Sequence, residues 1–221
     1  MREKKFRDGL GLFVVEGEKM VREALASGLE VEEVWRTEEI GEAAMSRISQ
    51  LTTPSPVLAV VRKPACVVPD SPSGLALALD GVRDPGNMGT ILRTADWFGV
   101  GTIYISPDCV DIYNPKVIQS TMGSIFRVKA VEAPVAGICE RFKKAGLPVY
   151  GTLLDGRDIY AASLKQEGLI VMGNESVGIS PAVRALVTDP LLIPRAPHSK
   201  AESLNVAVAT AVTLAEFRRR I

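Results

Sequence analysis

Three apolar segments of this chain each end in a loop of small polar and charged residues, and these loops are the strongest candidates for chemistry. The first segment, LALALD, is followed by GVRDPGNMG. The second, LIVMG, is followed by NESVG, and the third, LLIP, by RAPHSKAESLN. In an open parallel sheet, ligands bind at the carboxyl ends of the strands. If the segments are neighbouring strands, the three loops form one composite site.

Two side chains beside these loops are unusual for their positions. Arg93 lies about two turns into a predicted helix, next to Leu92 and Ala95, so we expect it to pair with a carboxylate, and Glu175 is the candidate. The alternative is a solvated surface arginine. Asn205 lies at an apolar helix start, where a buried amide without partners costs about 1–3 kcal/mol.

Two of the loop features also have a purely structural interpretation. The residues DPGN, 84–87, are compatible with a tight turn that enters a helix. Ser203 precedes the last helix and is a candidate N-cap. The first loop matches neither G-x-G-x-x-G nor GK[ST], which argues against a dinucleotide or ATP site.

Composition excludes several classes of site. The chain has one histidine, His198, and its three cysteines lack C-x-x-C spacing, so we predict no metal site, no disulfide framework and a reducing cytoplasm. Its 26 basic residues balance 26 acidic ones, so any binding of nucleic acid must come from local patches. The charged start MREKKFRDG predicts no signal peptide, and no apolar run approaches the roughly 20 residues that span a membrane.

Alternating strand and helix patterns must position the loops. From residue 74 to 221 they predict an α/β domain with a mostly parallel sheet, whose strands include TIYIS, FRVKAV and PVYGTLL. Asn114 with Pro115 and Ser180 with Pro181 are predicted helix starts. The proline-rich stretch 65–73 predicts a linker, and residues 1–64 a small α/β domain in front of it.

Taken together, GVRDPGNMGTILRTADWFG, VMGNESVGIS and IPRAPHSKAESLNVAVATAV resemble the motifs of the SpoU/TrmH family of RNA ribose methyltransferases, a branch of the SPOUT superfamily. They occur in the family's order and at similar spacing, from about Leu75 to the end. FVVEGEKMVREAL and TPSPVLAVVRKP resemble, more loosely, the small RNA-recognising domain of many members. One departure is the third loop, which is longer than the family's and lacks its glycine, around Arg195, His198 and Lys200.

The resemblance implies transfer of a methyl group from S-adenosylmethionine to a ribose 2′-hydroxyl of structured RNA. It also implies a C-terminal trefoil knot and a homodimer with the site built across two subunits. By position, the implied catalytic residues are Asn87, Arg93, Glu175, Ser203 and Asn205. The implied cofactor-binding residues are Thr152, Leu153, Gly173, Asn174, Ile193 and Leu204.

Arg93 in such a site is often assigned as the base that takes the hydroxyl proton. Because a guanidinium has a pKa above about 12, our hypothesis is that Arg93 grips the RNA phosphate and stabilises the developing alkoxide, with Glu175 orienting it. Ser203 and Asn205 would complete the polar pocket. His198 is either an extra base or a solvated loop residue.

The N-terminal domain favours ribosomal RNA over transfer RNA, because members that act on transfer RNA often lack it. Six basic residues there are either phosphate contacts or solvated surface charges: Arg2, Lys4, Lys5, Arg7, Arg62 and Lys63. The other functional alternatives are a transfer-RNA methyltransferase, an RNA-binding module without catalysis, and a nucleotide-dependent oxidoreductase.

Overall fold

The computed structural model describes residues 1–219, which form two sheets. The first is antiparallel, with strand order β1 (Leu12–Glu16), β3 (Val57–Arg62), β2 (Val31–Arg36). The second is parallel, with strand order β6 (Lys129–Glu132), β5 (Thr102–Ile105), β4 (Leu75–Asp80), β8 (Gly168–Gly173), β7 (Val149–Asp158), β9 (Asp189–Leu192). The predicted α/β class with a parallel sheet is therefore confirmed. No helix within the described residues combines the length and hydropathy needed to cross a membrane.

The N-terminal part of the chain consists of the three strands of the antiparallel sheet and four helices. They are α1 (Lys4–Leu10), β1 (Leu12–Glu16), α2 (Glu18–Ala26), β2 (Val31–Arg36), α3 (Thr37–Ile40), α4 (Glu42–Ile48) and β3 (Val57–Arg62).

The remaining elements belong to the parallel sheet and the helices on its faces. They are β4 (Leu75–Asp80), α5 (Pro85–Trp97), β5 (Thr102–Ile105), α6 (Pro115–Thr121), a 3-10 turn (Ser124–Phe126), β6 (Lys129–Glu132), α7 (Val135–Lys144), β7 (Val149–Asp158), β8 (Gly168–Gly173), α8 (Pro181–Arg184), β9 (Asp189–Leu192) and α9 (Val206–Arg218).

The two central strands of the parallel sheet explain the continuous apolar runs in the sequence. All six residues of β4 and all six of β8 are buried, because helices cover both faces of the sheet. β4 and β8 pair in register from Leu75 with Gly168 to Asp80 with Gly173. Their carboxyl ends, and the loops that follow them, therefore lie side by side.

The order of the strands corrects one expectation about the third loop. β9, which leads into that loop, is separated from β8 by β7, so the three strands are not direct neighbours. The third loop must cross the end of β7 to reach the other two. The sequence pattern could not show this, because strand order depends on which helices cross over the sheet.

One predicted strand, FRVKAV, is shorter and later than expected. Ser124–Phe126 form a 3-10 turn, and the strand begins at Lys129. Side-chain bonds favour the turn: Asp96 Oδ2 accepts hydrogen bonds from Ser124 Oγ at 2.7 Å and Arg127 Nε at 2.8 Å. The same arginine donates to Glu23 of α2 at 2.6 Å.

The N-terminal sheet packs against the parallel-sheet half through a shared apolar core. Phe13 and Val15 of β1 belong to the same buried cluster as Leu77 and Ile103 of the parallel sheet. The Phe13 ring lies 4.7 Å from the ring of Tyr113, centroid to centroid. The opposite face of the small sheet forms a separate cluster with α4. Because side chains alternate along β1, one set faces the core of the parallel-sheet half and the other set faces α4.

A buried ion pair joins α1 to the other half. The Arg7 side chain is only 3% exposed, and its Nε and Nη2 donate to Asp111 Oδ2 at 3.0 and 2.6 Å. Its Nη1 donates to the carbonyls of Met1 and Arg2. The alternative of Arg7 as a phosphate contact is therefore wrong, because its donors are used inside the chain. The remaining five basic residues also have partners within the chain.

The segment between the two sheets forms neither helix nor strand but lies against the larger half. Arg141 of α7 donates hydrogen bonds to the carbonyls of Pro69 and Asp70. Cys66 and Val68 pack on the apolar cluster beneath α7. The predicted domain boundaries stay a prediction.

Replacing Arg7 tests the ion pair that joins the two halves. Arg7→Met leaves the carboxylate of Asp111 without its partner in a site that is 11% exposed, so the free energy of unfolding should fall by about 3 kcal/mol. Urea denaturation measures it. Lys5→Met is the control, since Lys5 pairs with Glu3 in open solvent. An Arg7→Met protein as stable as this control would contradict the prediction.

Candidate active site

The loops after β4 and β8 are joined by the side chain of Asn174. Its Nδ2 donates to the carbonyl of Gly81 at 2.6 Å, and its Oδ1 accepts from the backbone of Ser176 and Val177 at 2.9 and 3.1 Å. A Cβ on Gly173 would lie 2.2 Å from the carbonyl carbon of Gly178. Only glycine allows the NESVG loop to turn this tightly over the end of β8.

The DPGN segment is the start of α5. Asp84 is the N-cap, its Oδ1 accepts a hydrogen bond from the backbone of Asn87 at 2.7 Å, and Pro85 occupies the first turn. The interpretation as a tight turn entering a helix therefore holds. It leaves the amide of Asn87 at the helix end, free to contact the other loops.

The side chain of Asn87 connects all three loops. Its Nδ2 donates to Glu175 Oε1 at 3.1 Å, and its Oδ1 accepts from Asn205 Nδ2 at 2.8 Å. Three predicted site residues from three separate loops thus form one hydrogen-bonded row, which we call the Asn87 triad (Glu175, Asn87 and Asn205). An amide suits the central position because it donates to a carboxylate and accepts from a second amide.

Glu175 is held by four N–H groups around its carboxylate. Besides Asn87, the backbone N–H of Asp84 donates to Oε1 at 3.1 Å, that of Arg83 to Oε2 at 3.3 Å, and Asn174 Nδ2 to Oε2 at 3.4 Å. Burial raises the pKa of Glu175, but the hydrogen bonds from Asn87 and the backbone outweigh it, so the pKa lies below its usual 4.5. The carboxylate is ionised at neutral pH.

The expected pair between Glu175 and Arg93 does not form within residues 1–219, where Glu175 bonds to the α5 start and to Asn174. The reason is the rise of the helix: Arg93 lies six residues beyond Asn87, about 9 Å farther along α5. Arg93 is exposed to solvent instead. In the single chain, Arg93 is therefore a solvated surface arginine, as the alternative interpretation had it.

Asn205 is the N-cap of α9. Its Oδ1 accepts from the backbone of Ala207 and Val208 at 2.9 and 3.3 Å, whereas Ser203, the predicted cap, lies two residues earlier and is exposed. Asn205 lies at the exposed helix end, so the cost of a buried amide does not arise there.

Helices α5 and α9 run side by side in the same direction. Asn87 and Asn205 meet at their amino ends, and Arg218 Nε donates to the carbonyl of Phe98 at 2.7 Å at their carboxyl ends. The pairing sets the position of the Asn87 triad, since a slide of either helix would separate the two amides.

A cavity of about 870 Å³ lies beside the Asn87 triad. It is within the size range of cofactor sites. Its lining includes Glu175 and Ser203 but neither Asn87 nor Arg93. All six residues predicted to contact a cofactor line it: Thr152, Leu153, Gly173, Asn174, Ile193 and Leu204.

One wall of the cavity is a segment of β7 that bulges away from β9. Leu191 of β9 pairs with both Thr152 and Arg157, so residues 153–156 leave the sheet. A Cβ on Gly156 would lie 2.5 Å from the carbonyl carbon of Leu191, so the chain returns to β9 only because this residue is glycine. Sequence reasoning missed Gly156, although a glycine inside a predicted strand signals a bulge or a close backbone approach.

Two charged lining residues were also missed. Asp155 lies on the bulge and Arg184 ends α8, and both line the cavity. Neither belongs to the three loops, so the strand-end argument could not find them.

The third loop covers another side of the cavity. Ser199, Ala201 and Glu202 line it, and Arg195 Nη1 donates to the carbonyl of Ala201 at 3.2 Å within the loop itself. His198 is exposed and does not belong to the lining. This position favours the solvated-loop interpretation of His198 over an extra base.

Family profiles match both halves of the chain. The profile described as SpoU rRNA Methylase family matches residues 74–215. The chain belongs to this family. A second profile, described as MRM3-like substrate binding domain, matches residues 1–60.

Some relatives match this SpoU-family chain over nearly its whole length. A protein of Bacillus subtilis named 23S rRNA (guanosine(2553)-2'-O)-methyltransferase RlmP is 31% identical over 99% of this chain and 93% of its own. A TrmH-family structure from Porphyromonas gingivalis superposes with a TM-score of 0.91 at 40% identity, covering 100% and 94%. An AdoMet-bound rRNA methyltransferase from Sinorhizobium meliloti superposes with a TM-score of 0.89 at 29% identity, covering 100% and 92%.

Alanine substitutions distinguish the two candidate caps of α9. Asn205→Ala removes the acceptor for the first N–H groups of the helix and one partner of Asn87, so the free energy of unfolding should fall by about 1 kcal/mol. Ser203→Ala is the matched control and should leave it unchanged. Thermal or urea denaturation measures both variants. Equal losses in the two, or a larger loss with Ser203→Ala, would show that the cap assignment is wrong.

The lowered pKa of Glu175 predicts a pH-dependent contribution to stability. A carboxyl with a lower pKa in the folded than in the unfolded chain stabilises the fold above its usual value of 4.5, and this is lost as the pH falls through the folded value. Glu175→Gln should therefore be less stable than the unmodified protein at neutral pH, and the difference should shrink in acid.

Urea denaturation at a series of pH values checks this expectation. Glu38→Gln, on the exposed helix α3, is the control and should match the unmodified protein throughout. A Glu175→Gln deficit that stayed constant from neutral pH into acid would count against the bound carboxylate.

Proposed function

We propose that this SpoU-family protein transfers a methyl group from S-adenosylmethionine to a ribose 2′-hydroxyl of ribosomal RNA. The observation that carries the proposal is the cavity lined by the six predicted cofactor residues, directly beside the Asn87 triad. The name of the Bacillus subtilis relative and the AdoMet-bound Sinorhizobium meliloti structure support the same chemistry.

The lining of the cavity fits the proposed cofactor. Leu153, Leu191 and Ile193 offer apolar surface for an adenine ring, and the tight turn at Gly173 keeps backbone groups close to the space. S-adenosylmethionine supplies an activated methyl group on a sulfonium. The chain's own contribution is to hold the ribose hydroxyl in line with that group at the end of the cavity where Glu175 lies.

Arg93 completes the site from a second subunit in this proposal. The residue is exposed and is not part of the lining of its own chain's cavity. A guanidinium is always charged at neutral pH, so it can bind an RNA phosphate and stabilise the alkoxide that forms as the hydroxyl passes its proton to solvent water. Glu175 then holds the α5 start of its own chain, rather than orienting Arg93 of the same chain.

The surface of α5 and α9 supports a homodimer. Val208 of α9 and Leu204 just before it are each 49% exposed, and Trp97 at the end of α5 is 85% exposed. These exposed apolar side chains lie at both ends of the helix pair that carries the site, and we assign this face to the dimer interface. A twofold dimer through these helices would bring each Arg93 toward the other chain's cavity. The trefoil knot and the cytoplasmic location remain predictions.

The N-terminal domain supports ribosomal RNA as the substrate. Residues 1–60 match a substrate-binding domain profile, and the Bacillus subtilis relative, which spans the same length, is named for 23S rRNA. The shared core and the Arg7 ion pair hold this domain in one orientation to the cavity. Transfer RNA is the alternative substrate that the experiment must separate.

Incubation with labelled S-adenosylmethionine tests the proposal. Purified ribosomal RNA should gain a ribose 2′-O-methyl group, whereas transfer RNA should not. Arg93→Met should lower the single-turnover rate by about 10²-fold or more, because it removes a charge from the reacting centre. Arg157→Met, an exposed arginine paired with Asp189, is the control. Methylation of transfer RNA alone, or of neither RNA, would overturn the proposal.

Mixing two inactive variants tests the shared site. Arg93→Met removes the guanidinium, and Glu175→Gln removes the carboxylate at the end of the cavity. If Arg93 acts on the other subunit's cavity, a mixed dimer has one site with both groups intact and one site with neither. An equal mixture should therefore recover about a quarter of the activity of the unmodified protein. No recovery after subunit exchange would place Arg93 and Glu175 in the same subunit's site.

A further inference from the structure

We infer that Arg184 and Asp155 bind the amino-acid end of S-adenosylmethionine, Arg184 holding its carboxylate and Asp155 its ammonium group. This inference rests on the proposed function and adds two specificity residues to its cofactor site. The observation behind it is an ion pair at the cavity wall between two elements outside the three loops.

The two residues lie on separate elements of the cavity. Asp155 belongs to the bulge of β7, and Arg184 is the last residue of α8. Arg184 Nη2 donates directly to Asp155 Oδ2. Their side chains are 50% and 65% exposed, and both residues line the cavity. The pair is therefore accessible to a ligand without any movement of the core.

The pair matches the charges of the ligand. An amino-acid group carries a carboxylate and an ammonium on the same carbon, so its site needs a cation and an anion a few ångströms apart. Arg184 and Asp155 present both. An exposed ion pair contributes little to folding, so exchanging its internal bond for two ligand bonds costs little stability.

Other charged lining residues are less suited to this task. Glu175 is already bound by three N–H groups at the start of α5 and by the side-chain amide of Asn174. Arg195 and Glu202 are the other two charged lining residues. Arg195 donates a hydrogen bond to the carbonyl of Ala201 in its own loop, and within the described residues it forms no ion pair with Glu202. Binding at Arg184 also leaves the apolar wall around Leu153 and Leu191 for the adenine ring.

Calorimetry with two ligands tests the inference. S-adenosylmethionine carries the amino-acid group, whereas 5′-methylthioadenosine has the same adenosine and sulfur without it. Arg184→Met should weaken binding of S-adenosylmethionine about 10-fold or more and change that of 5′-methylthioadenosine less than about twofold. Asp155→Asn should act in the same direction, and Arg184→Lys should recover part of the loss because it restores the cation.

Arg157→Met serves as the control, because Arg157 also forms an exposed ion pair, with Asp189, but does not line this cavity. It should change neither affinity. Equal weakening of both ligands by Arg184→Met would indicate damage to the wall and overturn the inference. So would unchanged affinity for both, or a loss confined to RNA binding. If the unmodified protein bound neither ligand, the proposed function itself would fail, and the inference with it.

Discussion

The amide of Asn87 is the interaction on which the arrangement of this site depends. It lies where the first turn of α5 meets the carboxyl edge of the parallel sheet, and it bonds to Glu175 on one side and Asn205 on the other. A single side chain thus joins loops that follow three different strands. Because an amide has one donating and one accepting end, the row also has a direction, with the carboxylate next to the cavity and the second amide at the start of α9.

Glu175 has a structural task within this arrangement. Its carboxylate receives the backbone N–H groups of Arg83 and Asp84, just before α5, where a negative charge is favoured by the helix dipole. The β8 loop thereby holds the start of α5, and α5 in turn holds α9 through the contacts at both of its ends. These contacts hold the adjoining wall of the cavity in position, which suits a reaction that depends on the alignment of two reacting groups.

The N-terminal domain is held to the larger half by packing and by buried charge. The Phe13 and Tyr113 rings continue the core from one sheet to the other, and the Arg7–Asp111 pair closes the edge of that contact. Arg127 adds a second polar joint, since it bonds to Glu23 of α2 and to Asp96 of α5. The helix that carries Asn87 and Arg93 is thus linked directly to the domain proposed to bind RNA.

The sequence by itself determined the elements of this protein and the composition of its three polar loops. Asn114 caps its helix as predicted, and the runs of β4 and β8 are buried on both faces, because caps and apolar patterns act over a few neighbouring residues. Local signals singled out Glu175 and Asn205, and the family resemblance added Asn87, but neither gave the bonds between them. The tertiary structure decided the rest. The six-position separation of Asn87 and Arg93 carries the arginine out of reach of Glu175, Arg7 is buried because Asp111 lies opposite it, and β7 intervenes before β9. Each of these outcomes depends on which elements dock together across long stretches of chain, and no window of neighbouring residues contains that information.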